Sequence, residues 1–248
     1  MRTFLKYVFG LFVIFFTWWL LSYIINSDLI LPRPPLVLKT MALELMRLGV
    51  LDSLGSTLLK VIVVLISTVT VGVFIGFIIG LNETLCNMFR PLILVVQAIP
   101  IITWLALVMF IWGIGWTGPV VVSILSLLPH AILSTAVGIQ TTDRKLLEMA
   151  RVYKVSRKKV VKDIYLGSIL PQFLSAIQVI FGNVWKVVVV SEYMCGDNGI
   201  GVLIAWARQS VSVEKVYAYT AIIIIIGLTV ENFVNRFIKN ALKNWELV

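Results

Sequence analysis

Residues 56–80 read STLLKVIVVLISTVTVGVFIGFIIG. This run holds one charge, Lys60, and no proline. A bilayer core of about 30 Å is crossed by roughly 20 mostly apolar residues as α-helix, which satisfies every backbone N–H and C=O within the segment. The stretch therefore reads as a membrane span, and the rest of the chain agrees with it. Of 248 residues 60% are hydrophobic and 13% charged, with a mean hydropathy of +1.00. A soluble domain of this length carries about a quarter charged residues. The expected fold class is all-α, a polytopic membrane protein.

Working outward from 56–80, six stretches have the length and apolarity of a span: about 7–25, 56–80, 91–112, 117–139, 168–190 and 216–236. The first follows a short basic lead, Arg2 and Lys6, and is too long and lacks the small-residue cleavage site of a signal peptide, so it reads as a retained helix. No internal repeat or linker divides the chain, which is expected to be one transmembrane domain over 1–248. With the N-terminus inside, the inner segments and Arg236 at their boundary hold fourteen of the 21 Lys and Arg, eight of them in 140–167. The outer segments, 26–55, 113–116 and 191–215, hold five. That asymmetry puts both termini in the cytoplasm. It also accounts for the net charge of +9 without nucleic acid as a partner.

Smaller signals shape the spans. Gly72, Gly76 and Gly80 recur every fourth residue, a spacing that lets membrane helices approach closely. Pro91, Pro100, Pro119, Pro129 and Pro171 fall in the third, fourth and fifth spans, where kinks are expected. In the outer connection Pro32, Pro34 and Pro35 impose an extended entry, and Leu36, Thr40, Leu43 and Arg47 then fall at helical steps. A short helix at the outer interface is expected there. Cys86 and Cys195 are too far apart for a disulfide framework or a metal site and read as small core residues.

Residues 148–171, EMARVYKVSRKKVVKDIYLGSILP, carry six Lys or Arg amid apolar sequence. The pattern is two short amphipathic helices. Thr142 or Asp143 can cap the first, in which Leu146, Leu147, Ala150 and Tyr153 form an apolar stripe. Ser156 can cap the second, which bears Val160, Val161, Ile164 and Tyr165 on one side and Arg157, Lys158 and Lys162 on the other, and Gly167 is expected to end it. The apolar stripes need a cover. It could be the helix ends of the protein itself, lipid headgroups or another protein, and the residues alone leave these open.

This segment resembles the EAA loop of the permease subunits of bacterial binding-protein-dependent ABC importers: Glu-Ala-Ala, three residues, Gly, nine residues, Ile-x-Leu-Pro. Glu148, Ala150, Ile164 and Leu166 match, Met149 takes the middle position, Lys154 stands where the family has Gly, and Gly167 where it has Pro. The likeness to the nitrate/sulfonate/taurine-type branch covers nearly the whole chain. LPRPPLVL is similar to its Leu-Pro-Ser-Pro segment. Pro91, Pro100 and Ile111-Trp112-Gly113-Ile114-Gly115 are similar to its third helix and turn, and Trp185, Glu192, Gly199 and Gly201 to its Trp…Glu…Gly-Leu-Gly segment.

The resemblance implies a bacterial plasma-membrane protein that is a transport subunit, not an enzyme. It implies that two permeases, as a homodimer, form the path, that a cytoplasmic ATPase dimer binds ATP and Mg, and that an extracytoplasmic protein delivers substrate. It implies that Glu148, Met149, Ala150, Tyr153, Lys154, Ser156, Ile164 and Leu166 couple the loop to the ATPase. No cofactor is expected in this chain, which has no GxxxxGK[ST] loop to hold phosphates. Gly in the corner permits a left-handed backbone, so Lys154 implies either a strain of about 1–2 kcal/mol or a different turn. The implied substrates are small anions such as sulfonates or nitrate, or vitamin precursors.

Candidate path residues are Gln97, Asn183, Lys186 and Glu192, because polar and ionisable groups at membrane depth are functional by default. Each has a structural reading as well. Gln97 and Asn183 can bond between helices, Lys186 can reach the interface or pair with a carboxylate, and the charge of Glu192 opposes an anion and suits a structural or gating role. His130, the single His, reads as a helix contact and cannot make a metal site alone. An ion-gradient-driven transporter is the alternative function. It needs coupling carboxylates within the spans, and only Glu192 and Glu231, near helix ends, are available. A membrane-embedded enzyme would need a cluster of catalytic groups that the spans lack.

Overall fold

Apolar runs of this length satisfy their backbone by closing helical hydrogen bonds. The computed structural model describes residues 2–245, and no strand occurs among them. The helices are α1 (Arg2–Ile25), α2 (Pro34–Leu45), α3 (Leu48–Gly80), α4 (Glu83–Ala98), α5 (Ile101–Trp112), α6 (Thr117–Gln140) and α7 (Arg144–Val152). A single turn, α8 (Arg157–Lys159), runs through a π-helical segment, Val160–Tyr165, into α9 (Leu166–Cys195), followed by α10 (Ile200–Gln209) and α11 (Val213–Trp245). Four are long and apolar enough to cross a membrane: α3, α6, Phe173–Cys195 of α9 and Val213–Arg236 of α11. The bent pair α4–α5 makes a fifth if taken as one span, and Phe12–Ile25 of α1 is apolar as well.

Four details differ from the expectation. The stretch expected as one span over 91–112 is two helices meeting at 86°. Pro100 has no N–H to continue the ladder and pushes Ile99 into extended backbone (φ −67°, ψ 123°), whereas Pro91 and Pro129 sit inside unbroken helices. Gly167 does not end a helix: α8, the π-helical segment and α9 are continuous. A glycine in a helix costs only about 1 kcal/mol against alanine, too little to stop one that is otherwise favoured. Pro34 and Pro35 open α2 rather than preceding it, since a proline ring is already set for the first helical turn. The outer segment 191–215 contains a helix of its own, α10.

The core lies where α3, α6 and α9 meet. Val61 and Val64 pack with Val120, Leu127, Ala131, Ile180, Val184 and Val188. The glycine stripe makes this contact possible. A Cβ at Gly72 would overlap that of Ala131, one at Gly76 would lie 2.6 Å from the Ile132 carbonyl oxygen, and one at Gly80 would lie 2.8 Å from Ile139 Cδ1. Gly76→Leu is therefore expected to destabilise the protein by about 1–3 kcal/mol, read as an earlier unfolding transition in detergent. Gly55→Leu, in the same helix but with nothing within 4 Å of its Cβ, is expected to be neutral or stabilising. Equal effects of the two would remove the packing role.

α2 lies against α11 through one buried carboxylate. Glu44 accepts a hydrogen bond from the Tyr219 hydroxyl at 2.8 Å and pairs with Arg47 at 3.1 Å and Lys215 at 3.5 Å. At the same end Val50, Ile200, Ala207, Tyr219 and Ile222 form a second apolar cluster that seats α10 between α3 and α11. α1 stands at the margin, tied by Ser22, whose hydroxyl donates to the Leu31 carbonyl at 3.0 Å, and by Trp18 stacked on Tyr217.

Candidate functional site

α7 is short and its ends are closed by local chemistry. The Asp143 carboxylate accepts from the Lys145 N–H at 2.9 Å, as a helix N-cap does. At the other end the Lys154 N–H donates to the Arg151 carbonyl at 3.1 Å and the Val155 N–H to the Ala150 carbonyl at 2.9 Å. This pair of bonds is a Schellman motif, which needs its central residue in the left-handed region. Lys154 is that residue, at φ +51°. Of the two options for this position, strain or a different turn, the chain takes the strained one, and the corner keeps the conformation a glycine would favour.

The corner projects apolar surface from the end of the bundle. Met149 is half exposed, and Val152 and Tyr153 are each 77% exposed. Glu148, Arg151, Lys154 and Ser156 are also exposed. Ala150 differs from the expected contact set: it is 4% exposed and turned into a cavity with Leu147, Val160, Val161 and Tyr165. It seats α7 on the following segment, because the apolar stripe of an amphipathic helix buries against its own protein first. Ser156 caps the next turn with its carbonyl, which accepts from the Val160 N–H at 3.0 Å. Ile164 lies half-buried in the π-helical segment, and the side chain of Leu166 lies outside the described ones.

The four path candidates separate into two kinds. Gln97, Asn183 and Lys186 are exposed on the protomer. Gln97 Nε2 lies 3.3 Å from His130 Nε2, and Asn183 Nδ2 donates to the Val179 carbonyl at 2.8 Å. Glu192 is the exception, 1% exposed and enclosed by protein. Its carboxylate pairs with the Lys60 ammonium at 2.9 Å and accepts from the Thr57 hydroxyl at 2.9 Å and the Gly201 N–H at 3.1 Å. Glu192 therefore does not line an open surface here; it ties α9 to α3.

The surrounding loop completes this buried node. The Lys60 ammonium also donates to the Ser56 hydroxyl at 3.2 Å and to the Asn198 carbonyl. Thr57 Oγ1 accepts from the Ile200 N–H at 2.9 Å, so the first turn of α10 hangs from α3. Asn198 Oδ1 accepts from the Ser53 hydroxyl at 2.9 Å and from the Gly199 N–H at 2.7 Å, and its amide donates to Asp52 at 3.0 Å. Gly199, at φ +132°, and Gly201 leave no room for a Cβ, because the Glu192 carboxylate fills the space beside Gly199 and the α9 backbone at Val189 and Tyr193, with Glu192 Cβ, fills that beside Gly201. The sequence reading missed Lys60, Thr57 and Asn198. A signal existed, since Lys60 and Glu192 are opposite charges within apolar stretches and each needs a partner at membrane depth. Among the described residues no group of His, Cys, Asp and Glu is arranged to hold a metal ion.

The exposed amphipathic corner, the closely packed α3–α6 glycine contact and the bent α4–α5 pair belong to one bundle of apolar helices. A family model for the binding-protein-dependent transport system inner membrane component matches residues 68–243. The chain belongs to that family. It is accordingly an inner-membrane transport subunit that works with a binding protein. The chain is similar to the taurine transport system permease protein of Escherichia coli, with 25% identity over 88% of this chain and 82% of that one. It is similar to a nitrate import permease protein of Synechococcus elongatus, with 24% identity over 82% and 76%. Its fold is like that of a chain of the MetNI methionine ABC transporter in an inward-facing conformation, with a TM-score of 0.64 and 15% identity over 77% of this chain and 95% of that chain.

Proposed function

We propose that this chain is the permease subunit of an ATP-driven importer, that two identical copies enclose the substrate path, and that the corner at Met149–Val155 is where a cytoplasmic ATPase dimer grips it. One observation carries the reading. The family's coupling position is held at φ +51° by a Schellman motif, and the large apolar side chains beside it, Met149 and Tyr153, point away from the protomer. Exposed apolar groups on a basic corner suit a protein groove with an acidic rim. The ATPase binds ATP and Mg, so this chain needs no cofactor. The chain crosses the membrane six times as one domain, counting α1 and the bent pair, with both termini and α7 on the cytoplasmic side. An extracytoplasmic binding protein delivers substrate at the α10 end. Gln97, Asn183 and Lys186 are the groups available to line the path between copies, and the relatives' substrates, taurine and nitrate, make a small anion or sulfonate the cargo.

The test is a disulfide cross-link. Met149→Cys or Tyr153→Cys, in a background lacking Cys86 and Cys195, is paired with single cysteines along the groove of the candidate ATPase. Cross-linking whose yield changes with ATP is expected, and Ala150→Cys, turned inward, is expected to link poorly. With the complex intact, absence of any link from Met149 and Tyr153 would leave the corner as a lipid-facing connector and favour an ion-gradient-driven transporter.

A further inference from the structure

The face between α9 and α11 holds a second pair of opposite charges, and these are not joined. Phe181, Gly182, Trp185, Lys186, Gly227 and Glu231 are among the residues lining a cleft of about 170 Å³. Among the described residues neither Lys186 nor Glu231 takes part in an ion pair, and neither side chain is hydrogen-bonded. Trp185 is 8% exposed, and its indole N–H is buried without an acceptor. Unpaired charges at membrane depth are expensive and mark function.

The glycines of this cleft serve a different purpose from those of α3. Gly72, Gly76 and Gly80 are required for close packing, whereas a Cβ at Gly227 would meet nothing within 4 Å and one at Gly182 would meet only Glu231 Oε1, at 3.9 Å. Helix glycines are unfavourable, and here no neighbour demands them. What they provide is space beside the two charges. Glu231 reaches α9 at the level of Gly182, and Lys186 follows Gly182 by four residues, about 6 Å along a helix.

We propose that this cleft binds a small zwitterion, its anionic group held by Lys186 and its ammonium by Glu231, with two or three carbons between. The proposal rests on the permease reading and names the class of cargo. A plain anion held by Lys186 would sit about one helical turn from the Glu231 carboxylate, and repulsion at that range offsets attraction of similar size. A zwitterion gains from both groups. The occupant is a solute and not a lipid headgroup. Lys186 lies nine residues before the end of α9 at Cys195, about 14 Å inward along the helix, while headgroups stay at the interface.

The permease–ATPase complex, reconstituted in liposomes, carries Gly227→Cys in a Cys86→Ala, Cys195→Ala background, and the rate of alkylation by a water-soluble maleimide is measured. The probes are taurine and isethionate, sulfonates of one length of which only taurine bears an ammonium. Taurine at about four times its dissociation constant is expected to slow labelling about fivefold. Isethionate at the same concentration is expected to protect far less. Glu231→Gln should reduce taurine protection to that of isethionate, and Lys186→Gln should abolish both. Equal protection by the two probes, protection by neither, or a cysteine that never reacts because lipid or the second copy fills the cleft would each overturn the proposal. ATP-driven uptake of taurine and nitrate in the same liposomes reads the permease function separately. Uptake without cleft protection rejects the cleft alone, and protection without any ATP-driven uptake rejects the importer reading.

Discussion

Replacing Lys60 by Met, with Glu192 left in place, is expected to destabilise the protein by about 3–5 kcal/mol. The pair is fully enclosed, with both side chains at 0% exposure. Removing the ammonium leaves a buried carboxylate held only by the Thr57 hydroxyl and the Gly201 N–H, and it orphans the Asn198 carbonyl. Thermal unfolding in detergent should fall by about 10 °C, taking roughly 2–4 °C per kcal/mol for a chain of this size. The loss should also be local. Hydrogen exchange in 196–212 should rise more than in α6, because Thr57 and Asn198 are what hold the start of α10 against α3.

The double variant Lys60→Met, Glu192→Gln separates charge from shape. Gln keeps an oxygen for Thr57 and Gly201 and offers its amide to the Asn198 carbonyl, so no buried charge remains. Its stability should return to within about 1–2 kcal/mol of the parent, since a buried ion pair contributes little net stability over a neutral arrangement of similar volume. If Lys60→Met alone proves neutral, the node is not enclosed as described, and Glu192 returns to the list of path candidates.

What the sequence made legible followed from local rules. Five of the six apolar stretches each lie on one helix and the sixth, 91–112, on two, because hydropathy and the need to satisfy the backbone act within a single segment. The α3 glycines read as a packing stripe, and they are one. Thr142 or Asp143 read as the cap of α7, and it is the Asp143 carboxylate that caps it. The features that escaped depend on partners far along the chain or on competition between close energies. Lys60 and Glu192 are separated by 132 residues; each charge in an apolar stretch signals that it needs a partner, but neither neighbourhood says which residue that partner is. Pro91, Pro100 and Pro129 look alike in sequence, yet only Pro100 breaks its helix. α10 is ten residues long and draws its stability from Val50, Tyr219 and Ile222, so no signal in the segment itself sets it apart from a loop. Gly167 read as a stop because a glycine near a charged run usually is one, but continuity into a long apolar helix outweighed its propensity.

Truncating Met149 and Tyr153 together to Ala is expected to weaken binding of the ATPase by about 100- to 1,000-fold, taking roughly 2 kcal/mol for each central apolar contact. ATP-driven uptake should fall with it. The fold should not suffer. Met149 is half exposed and lies within α7, where alanine is the best helix former, and Tyr153, which follows the helix, is 77% exposed. A stability unchanged or slightly raised, beside lost binding, would assign the two side chains to the partner. Lys154→Gly supplies the control. It relieves the left-handed strain at φ +51° by about 1 kcal/mol and leaves Met149 and Tyr153 where they are, so binding should hold or improve. If the double truncation binds as tightly as the parent, the corner is not the grip, and the mechanical coupling must pass through another exposed face of the bundle. If Lys154→Gly loses binding while the protein stays folded, the lysine itself contacts the partner. The residue that departs from the family would then be a determinant of which ATPase this subunit accepts.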